Sequence, residues 1–347
     1  MNPYIEIEGR KVGLDYPPLV IAEIGINHNG SLEEAKKLVR AAKEAGAEIV
    51  KHQTHIPSAE MSSLAKKAIP GNSPFSIWDI MDRCALSEED EIEMQRYTKE
   101  LGMIFISTPF SFEAIERLKR MDIPAFKIGS GEMNNYDFVR TIAKLNKPII
   151  ISTGMNDMDS VKKAISVIQE YHNNFVIMHT TNLYPTPANL IRLGALEEIK
   201  KEFPNAIIGL SDHSLNNLAC QAATALGASV LERHFTDTKD RKGEDIVCSM
   251  DIKECQELIK TSAEIQKMRG GTKQPAKEEK ITIEFAFSTL VAGTNLKAGD
   301  VLTREMVKTQ RPSLKGILAA DLDKALGKKL INDIAQGEHI EWSDLNE

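Results

Sequence analysis

Short, nearly continuous apolar runs recur along the first two-thirds of the chain, and helix-like stretches separate them. The runs are Leu19–Ile26, Glu48–Thr54, Met103–Thr108, Ala125–Gly129, Pro148–Ser152, Phe175–Thr180, Ala206–Ser211 and Ser229–His234. Ile, Val, Leu and Phe dominate them, the pattern of strands covered on both faces by helices. Ser31-Leu32-Glu33-Glu34 has the form of a capping box opening a helix that Gly46 would end. Ser87-Glu88-Glu89-Asp90 opens another, with acids where the helix dipole favours them. Such alternation implies parallel pairing, because each crossover needs a helix. Eight units over roughly 250 residues predict an α/β fold of the (β/α)8 TIM-barrel type. A doubly wound open sheet is the rival, but no GxGxxG follows the first run.

Two departures from this rhythm matter. The segment Ile56–Met81, with Pro70-Gly71-Asn72-Ser73-Pro74, is too long for an ordinary strand–helix loop and suits an active-site cover. After Met268 the chain turns polar, as linkers are. The expected organisation is a barrel over 1–268, a linker over 269–283 and a small second domain over 284–347. The last reads as short strands and turns, with Ser288–Ala292 and Leu296–Leu302 as candidate strands.

Composition narrows the function classes. The 347 residues carry a formal charge of −7, with 42% hydrophobic and 27% charged residues. That is ordinary for a soluble globular protein and argues against nucleic acid or an anionic membrane as the main partner. Cys84, Cys220, Cys248 and Cys255 lack CxxC spacing and read as reduced thiols. Met1–Glu6 lacks a signal-peptide pattern, and no run is apolar enough to span a bilayer, so a cytoplasmic location is expected.

Chemistry gathers at the C-terminal ends of the runs, where barrel enzymes keep it. Those ends supply Glu23, Asn27 and His28; Lys51, Gln53, Thr54 and His55; Ser107 and Thr108; Lys127, Ser130 and Glu132; and Ser152 and Thr153. They continue with His179 and Asn182, then Ser211, Asp212 and His213, then Glu232, Arg233 and His234. Lys51 and Lys127 with Ser130, Ser152 and Ser211 would make a cationic, hydroxyl-lined pocket for phosphate or carboxylate. The competing uses of a buried lysine are a structural ion pair and a Schiff base. His213 and His234 end adjacent runs, so one divalent transition metal could take both imidazoles. His28, His52, His55 and His179 read as hydrogen-bonded core residues. Glu23 interrupts an apolar run; it is either a lysine partner or a group handling protons or water. Asp245 is either a solvated loop acid or a residue reaching the barrel mouth.

The same residues lie in segments that resemble the bacterial sialic acid synthases. They are Ala22–Gly30 (AEIGINHNG), Lys51–His55 (KHQTH), Ser107–Phe110 (STPF), Lys127–Glu132 (KIGSGE), Ser152–Met155 (STGM), Thr181–Pro187 (TNLYPTP), Gly209–His213 (GLSDH) and Leu231–Thr236 (LERHFT). The resemblance spans essentially the whole chain. It implies condensation of phosphoenolpyruvate with open-chain N-acetylmannosamine and water, by C–O bond cleavage, to N-acetylneuraminate and phosphate. It further implies a divalent metal, Mn2+ first with Mg2+ or Co2+ as alternatives, held by His213 and His234. Phosphoenolpyruvate would be bound by Lys51, Thr108, Lys127, Ser130, Ser152, Asn182 and Ser211, with Glu23 handling the proton or water at C2. The sugar would lie against Gln53, Asn72, Tyr184 and Asp245. The last domain resembles an antifreeze-like (SAF) domain, which would carry Phe285 and Arg311 to a partner's barrel in a domain-swapped homodimer.

Two departures bear on the acceptor. Many relatives carry a basic pair after the phenylalanine at Phe285, where this chain has Ala286-Phe287. Lys51–His55 also differs from the Phe-containing version associated with legionaminic-type synthases. Both favour N-acetylmannosamine over a 6-deoxy diacetamido hexose, the acceptor of the legionaminic or pseudaminic alternative. A Schiff-base aldolase and a non-catalytic ice- or carbohydrate-binding protein are the remaining alternatives. The second leaves the polar strand ends unexplained.

Overall fold

An antiparallel hairpin, β1 (Tyr4–Ile7) and β2 (Arg10–Gly13), precedes the barrel strands. These are β3 (Leu19–Gly25), β4 (Ile49–Thr54), β5 (Ile104–Pro109), β6 (Phe126–Ile128), β7 (Ile149–Ser152), β8 (Phe175–Thr180), β9 (Ile207–Asp212) and β10 (Val230–His234). In this computed structural model, which describes residues 2–71 and 73–346, all eight pair in parallel and β10 closes onto β3. The expected barrel is therefore present, each strand within two residues of its predicted ends. Helices lie between successive strands, and their starts follow local chemistry. Ser31 Oγ accepts from the Glu34 amide at Leu32–Glu44, and Ser87 Oγ accepts from Asp90 at Glu88–Glu100. Asp251 and Glu254 form a reciprocal capping box on the final barrel helix, Ile252–Met268.

The barrel interior is layered, and the layering positions the site. Inward residues alternate with outward ones. Leu19, Ile21, Ile49, Ile106, Ala125, Ile150, Val176, Ile207 and Val230 fill the lower interior, and Ile5, Ile7 and Val12 of the hairpin pack with them. Two residues further along most strands, and four further along β8 and β9, the same rows turn polar: Glu23, Lys51, Thr108, Lys127, Ser152, Thr180, Ser211 and Glu232. Outward residues such as Val20, Ala22, Ile24 and Val50 pack against the helices. An apolar floor thus supports a buried polar ring at the strand C-termini.

The chain forms two compact units, Met1–Gly270 and Gly271–Glu347. In the second, β11 (Thr289–Ala292) pairs antiparallel with β12 (Val307–Gln310) over a core including Leu290, Leu302, Ile317, Leu330 and Ile340. Two expectations are corrected here. Lys280–Ala286, straddling the predicted linker end, is a short helix. Leu296–Leu302 is not a strand but a turn-rich stretch making single bridges, Leu296 to Ile334 and Val301 to Lys329. Gly299, at φ 94°, breaks it. Among the described residues, no helix is long and apolar enough to cross a membrane.

Candidate active site

One cavity at the barrel mouth gathers twelve of the residues singled out from sequence: Glu23, Lys51, Gln53, Thr108, Lys127, Ser130, Ser152, Asn182, Tyr184, Ser211, His213 and His234. Asp245 stands just behind, its Oδ2 3.6 Å from His234 Nδ1. Asn72 lies outside the described residues. Phe285 and Arg311 belong to the second unit, where Phe285 is exposed.

The two lysines hold one side of the cavity. Lys51 Nζ is 2.8 Å from Glu23 Oε2, 3.5 Å from Glu232 Oε1 and donates to Thr108 Oγ1 at 3.2 Å. Lys127 Nζ donates to Ser152 Oγ at 2.8 Å and lies 3.4 Å from Glu232 Oε1. Burial opposes the charge on both. At Lys51 the two carboxylates outweigh burial and raise its pKa; at Lys127 burial prevails, helped by the neighbouring Lys51, and lowers it. Burial alone would raise the Glu232 pKa, but Lys127 and Lys51 outweigh it and hold the carboxyl ionised. The structural ion pair weighed for the lysines, and the lysine partner weighed for Glu23, are both present beside the hydroxyls. Two ammonium groups face two carboxylates, and the charges cancel.

Hydroxyls and amides surround this balanced core. Ser130 Oγ accepts from the Gly154 amide at 3.0 Å, while Asn182 Oδ1 is buried without a hydrogen-bond partner. Only glycine fits at Gly154: a Cβ there would stand 1.8 Å from Asn182 Oδ1 and 2.9 Å from Ser130 Oγ. At Gly25 the backbone has φ 47°, and β3 shifts register against β4 between Glu23 and Gly25. The bulge sets Glu23 beside Gln53, whose Nε2 donates to Glu23 Oε1 at 2.7 Å.

His213 and His234 face one another across the opposite side, ring centroids 5.5 Å apart. His213 Nδ1 lies 2.9 Å from the Thr181 carbonyl, which can only accept, so that nitrogen carries the hydrogen and Nε2 keeps its lone pair. Burial, with His234 close by, lowers the His213 pKa to about 3, leaving a neutral imidazole. Tyr184 packs against His213 with centroids 4.1 Å apart and planes tilted by 33°, its phenol pushed above the ordinary range by burial. A neutral imidazole anchored through Nδ1 is the form in which histidine ligates a cation. Among the described residues no three His, Cys, Asp or Glu side chains group as a metal cage, so this chain offers two nitrogens and leaves other positions open.

Three further polar groups line the cavity without having drawn a role from sequence: Glu232, Glu132 and Thr180. Glu232 carries the same signal as Glu23, a carboxylate inside an apolar run. Burial raises the Glu132 pKa to about 7. Of the other histidines, His179 Nε2 bonds the Ile191 carbonyl at 2.7 Å, and His28 and His52 bond each other at 3.2 Å.

The NeuB family model matches residues 38–274, more than half of the chain, and the SAF domain model matches 288–346. The chain belongs to the NeuB family. Full-length relatives agree with this membership. An uncharacterized protein of Methanocaldococcus jannaschii is 35% identical over 98% of each chain. The N,N'-diacetyllegionaminic acid synthase of Campylobacter jejuni is 34% identical, over 93% of this chain and 98% of its own. The human N-acetylneuraminate-9-phosphate synthase is 33% identical, over 96% of this chain and 94% of its own. NeuB-family relatives named for different products thus stand at nearly equal distance from this chain.

Proposed function

We propose that this chain condenses phosphoenolpyruvate with open-chain N-acetylmannosamine and water to give N-acetylneuraminate and inorganic phosphate. One observation carries the reading: two buried lysines ringed by hydroxyls share a single cavity with Glu23 and the His213–His234 pair. Lys51, Lys127, Thr108, Ser130, Ser152, Asn182 and Ser211 would take the phosphate and carboxylate. Because the carboxylates already balance both lysines, a multiply charged anion requires added positive charge. A divalent cation held by His213 and His234, Mn2+ in the first instance, would supply it and polarise the sugar aldehyde.

In this reading C3 of phosphoenolpyruvate bonds to the aldehyde carbon, and the aldehyde oxygen takes a proton. Water then adds at C2, losing a proton toward Glu23, and the C2–O bond to phosphate breaks as the new C2 hydroxyl gives its remaining proton to the departing phosphate, leaving the keto group. Lys51 and Gln53 hold the two Glu23 oxygens at 2.8 and 2.7 Å, orienting them for that proton. Phosphate keeps the bridging oxygen. With bridge-labelled [18O]phosphoenolpyruvate, label in the released phosphate is the expected result; label in the sugar acid would reject C–O cleavage.

The deciding assay is phosphate release with Mn2+, comparing N-acetylmannosamine with a 6-deoxy diacetamido hexose and including a chelator arm. Chelator-sensitive turnover preferring N-acetylmannosamine is expected. Preference for the deoxy sugar would keep the chemistry and give this chain the legionaminic or pseudaminic product. The lowered pKa of Lys127 favours the imine alternative, which borohydride tests. Pyruvate plus borohydride is expected to leave the protein mass unchanged, whereas an adduct on Lys127 would replace this mechanism with a Schiff-base one.

The proposed active form is a domain-swapped homodimer in which Phe285 and Arg311 reach the partner's sugar. A planar guanidinium is a good donor to an N-acetyl carbonyl. Arg311→Ala is then expected to raise KM for the sugar about tenfold, and KM for phosphoenolpyruvate less than about twofold. Equal rises in both would remove Arg311 from the sugar site.

A further inference from the structure

Behind Glu23 runs a chain of buried polar groups that the proposed chemistry does not use. Gln53 Oε1 lies 3.1 Å from His55 Nε2, and His55 Nδ1 lies 3.0 and 3.2 Å from the two oxygens of Glu60. The His55 side chain is 2% exposed and that of Glu60 8%. The imidazole stacks on Phe110, a cavity-lining residue, with centroids 4.3 Å apart and planes 15° apart. Lys51, Gln53 and His55 alternate along β4 and just past its end, so the inward row continues from the lysine to the histidine. Glu60 ends the short helical turn Pro57–Glu60 that opens the long segment after β4.

Hydrogen-bond chemistry gives this chain a direction. An ionised Glu23 only accepts, so Gln53 must present its NH2 to it and turn its carbonyl oxygen toward His55. That oxygen also only accepts, so His55 Nε2 must carry a hydrogen. Nδ1 stays within hydrogen-bond distance of both Glu60 oxygens. Without the His55 N–H, the Gln53 carbonyl oxygen would lose its donor and the amide would be held at its Glu23 end alone.

We propose that His55 and Glu60 are positioning residues that fix the Gln53 amide, and through it the Glu23 carboxylate, for the reaction. This inference rests on the synthase reading for its catalytic consequence, while the direction of the hydrogen bonds stands without it. Removing a partner that orients a reacting group costs roughly 10–100-fold in rate. His55→Phe keeps the stacked ring and removes both N–H groups. In the full chain with Mn2+, kcat for phosphate release should fall by about that factor, with both KM values within about twofold of wild type.

The His55→Phe effect should also shrink to less than about twofold in a Gln53→Ala background, because His55 acts only through Gln53. Independent multiplicative losses, or an unchanged kcat, would overturn the proposal. If His55→Phe does not fold, Glu60→Ala asks the same question in the same two backgrounds. A second readout needs no activity. Histidine-15N spectra should show a hydrogen on His55 Nε2 at neutral pH, and a bare Nε2 would overturn the proposal. Wild-type protein that releases no phosphate with any tested acceptor, yet shows that hydrogen, would instead refute the synthase reading alone.

Discussion

His234→Ala is expected to reduce phosphate release from phosphoenolpyruvate by at least about a thousandfold, a loss of roughly 4 kcal/mol of transition-state stabilisation. The reason is arithmetic in ligands. His213 and His234 are the imidazoles lining the cavity, and among the described residues no group of three His, Cys, Asp or Glu forms a metal cage. One remaining nitrogen cannot hold a divalent ion against water and buffer. The fold should survive, because His234 sits at the rim above the apolar floor and its Nδ1 already lacks a hydrogen-bond partner. Unchanged circular dichroism, a melting temperature within a few degrees, and loss of Mn2+ in equilibrium dialysis should accompany the loss of turnover. Turnover that persists in the variant, or in metal-stripped wild type, would remove the Lewis-acid role.

How much of this was legible in the sequence depends on which face of a strand carried the signal. The eight strands declared themselves because the outward residues, such as Val20, Ala22 and Ile24, are as apolar as the inward Leu19 and Ile21. That same continuity hid the alternation, and with it the fact that Glu23, Lys51, Lys127 and Glu232 share one layer. Glu232 therefore drew no role, although its partners are the two lysines that did. The N-terminal hairpin went unread despite Tyr4-Ile5-Glu6-Ile7 alternating and Glu8-Gly9 turning, both at positive φ. Leu296–Leu302 was misread for the opposite reason: spaced apolar residues suggested a strand that Gly299 forbids. Charge balance in the cavity was legible only in part: Glu23 stood as a possible lysine partner, but the second carboxylate, Glu232, was not paired with either lysine.

Glu232→Gln tests that balance directly, and its largest effect is on stability. The carboxylate is buried, with Oε1 3.5 and 3.4 Å from two ammonium groups and accepting from Ser211 Oγ at 3.3 Å. Removing one member of a buried ionic cluster leaves uncompensated charge and costs about 3–5 kcal/mol. In a chain of this size that should lower the melting temperature by roughly 5–10 °C. The sign at low pH follows from the depressed Glu232 pKa. Its contribution is present above the ordinary carboxylate pKa and is lost as pH falls toward about 2, so the gap between wild type and variant should close in acid. At neutral pH, added inorganic phosphate should narrow the gap. It stabilises whichever folded state binds it more tightly. The variant, with two lysines facing one remaining carboxylate, should gain more from phosphate than wild type does. Equal gains would mean that the lysine pair does not face the anion, and the assignment of Lys51 and Lys127 to phosphoenolpyruvate would fall with it.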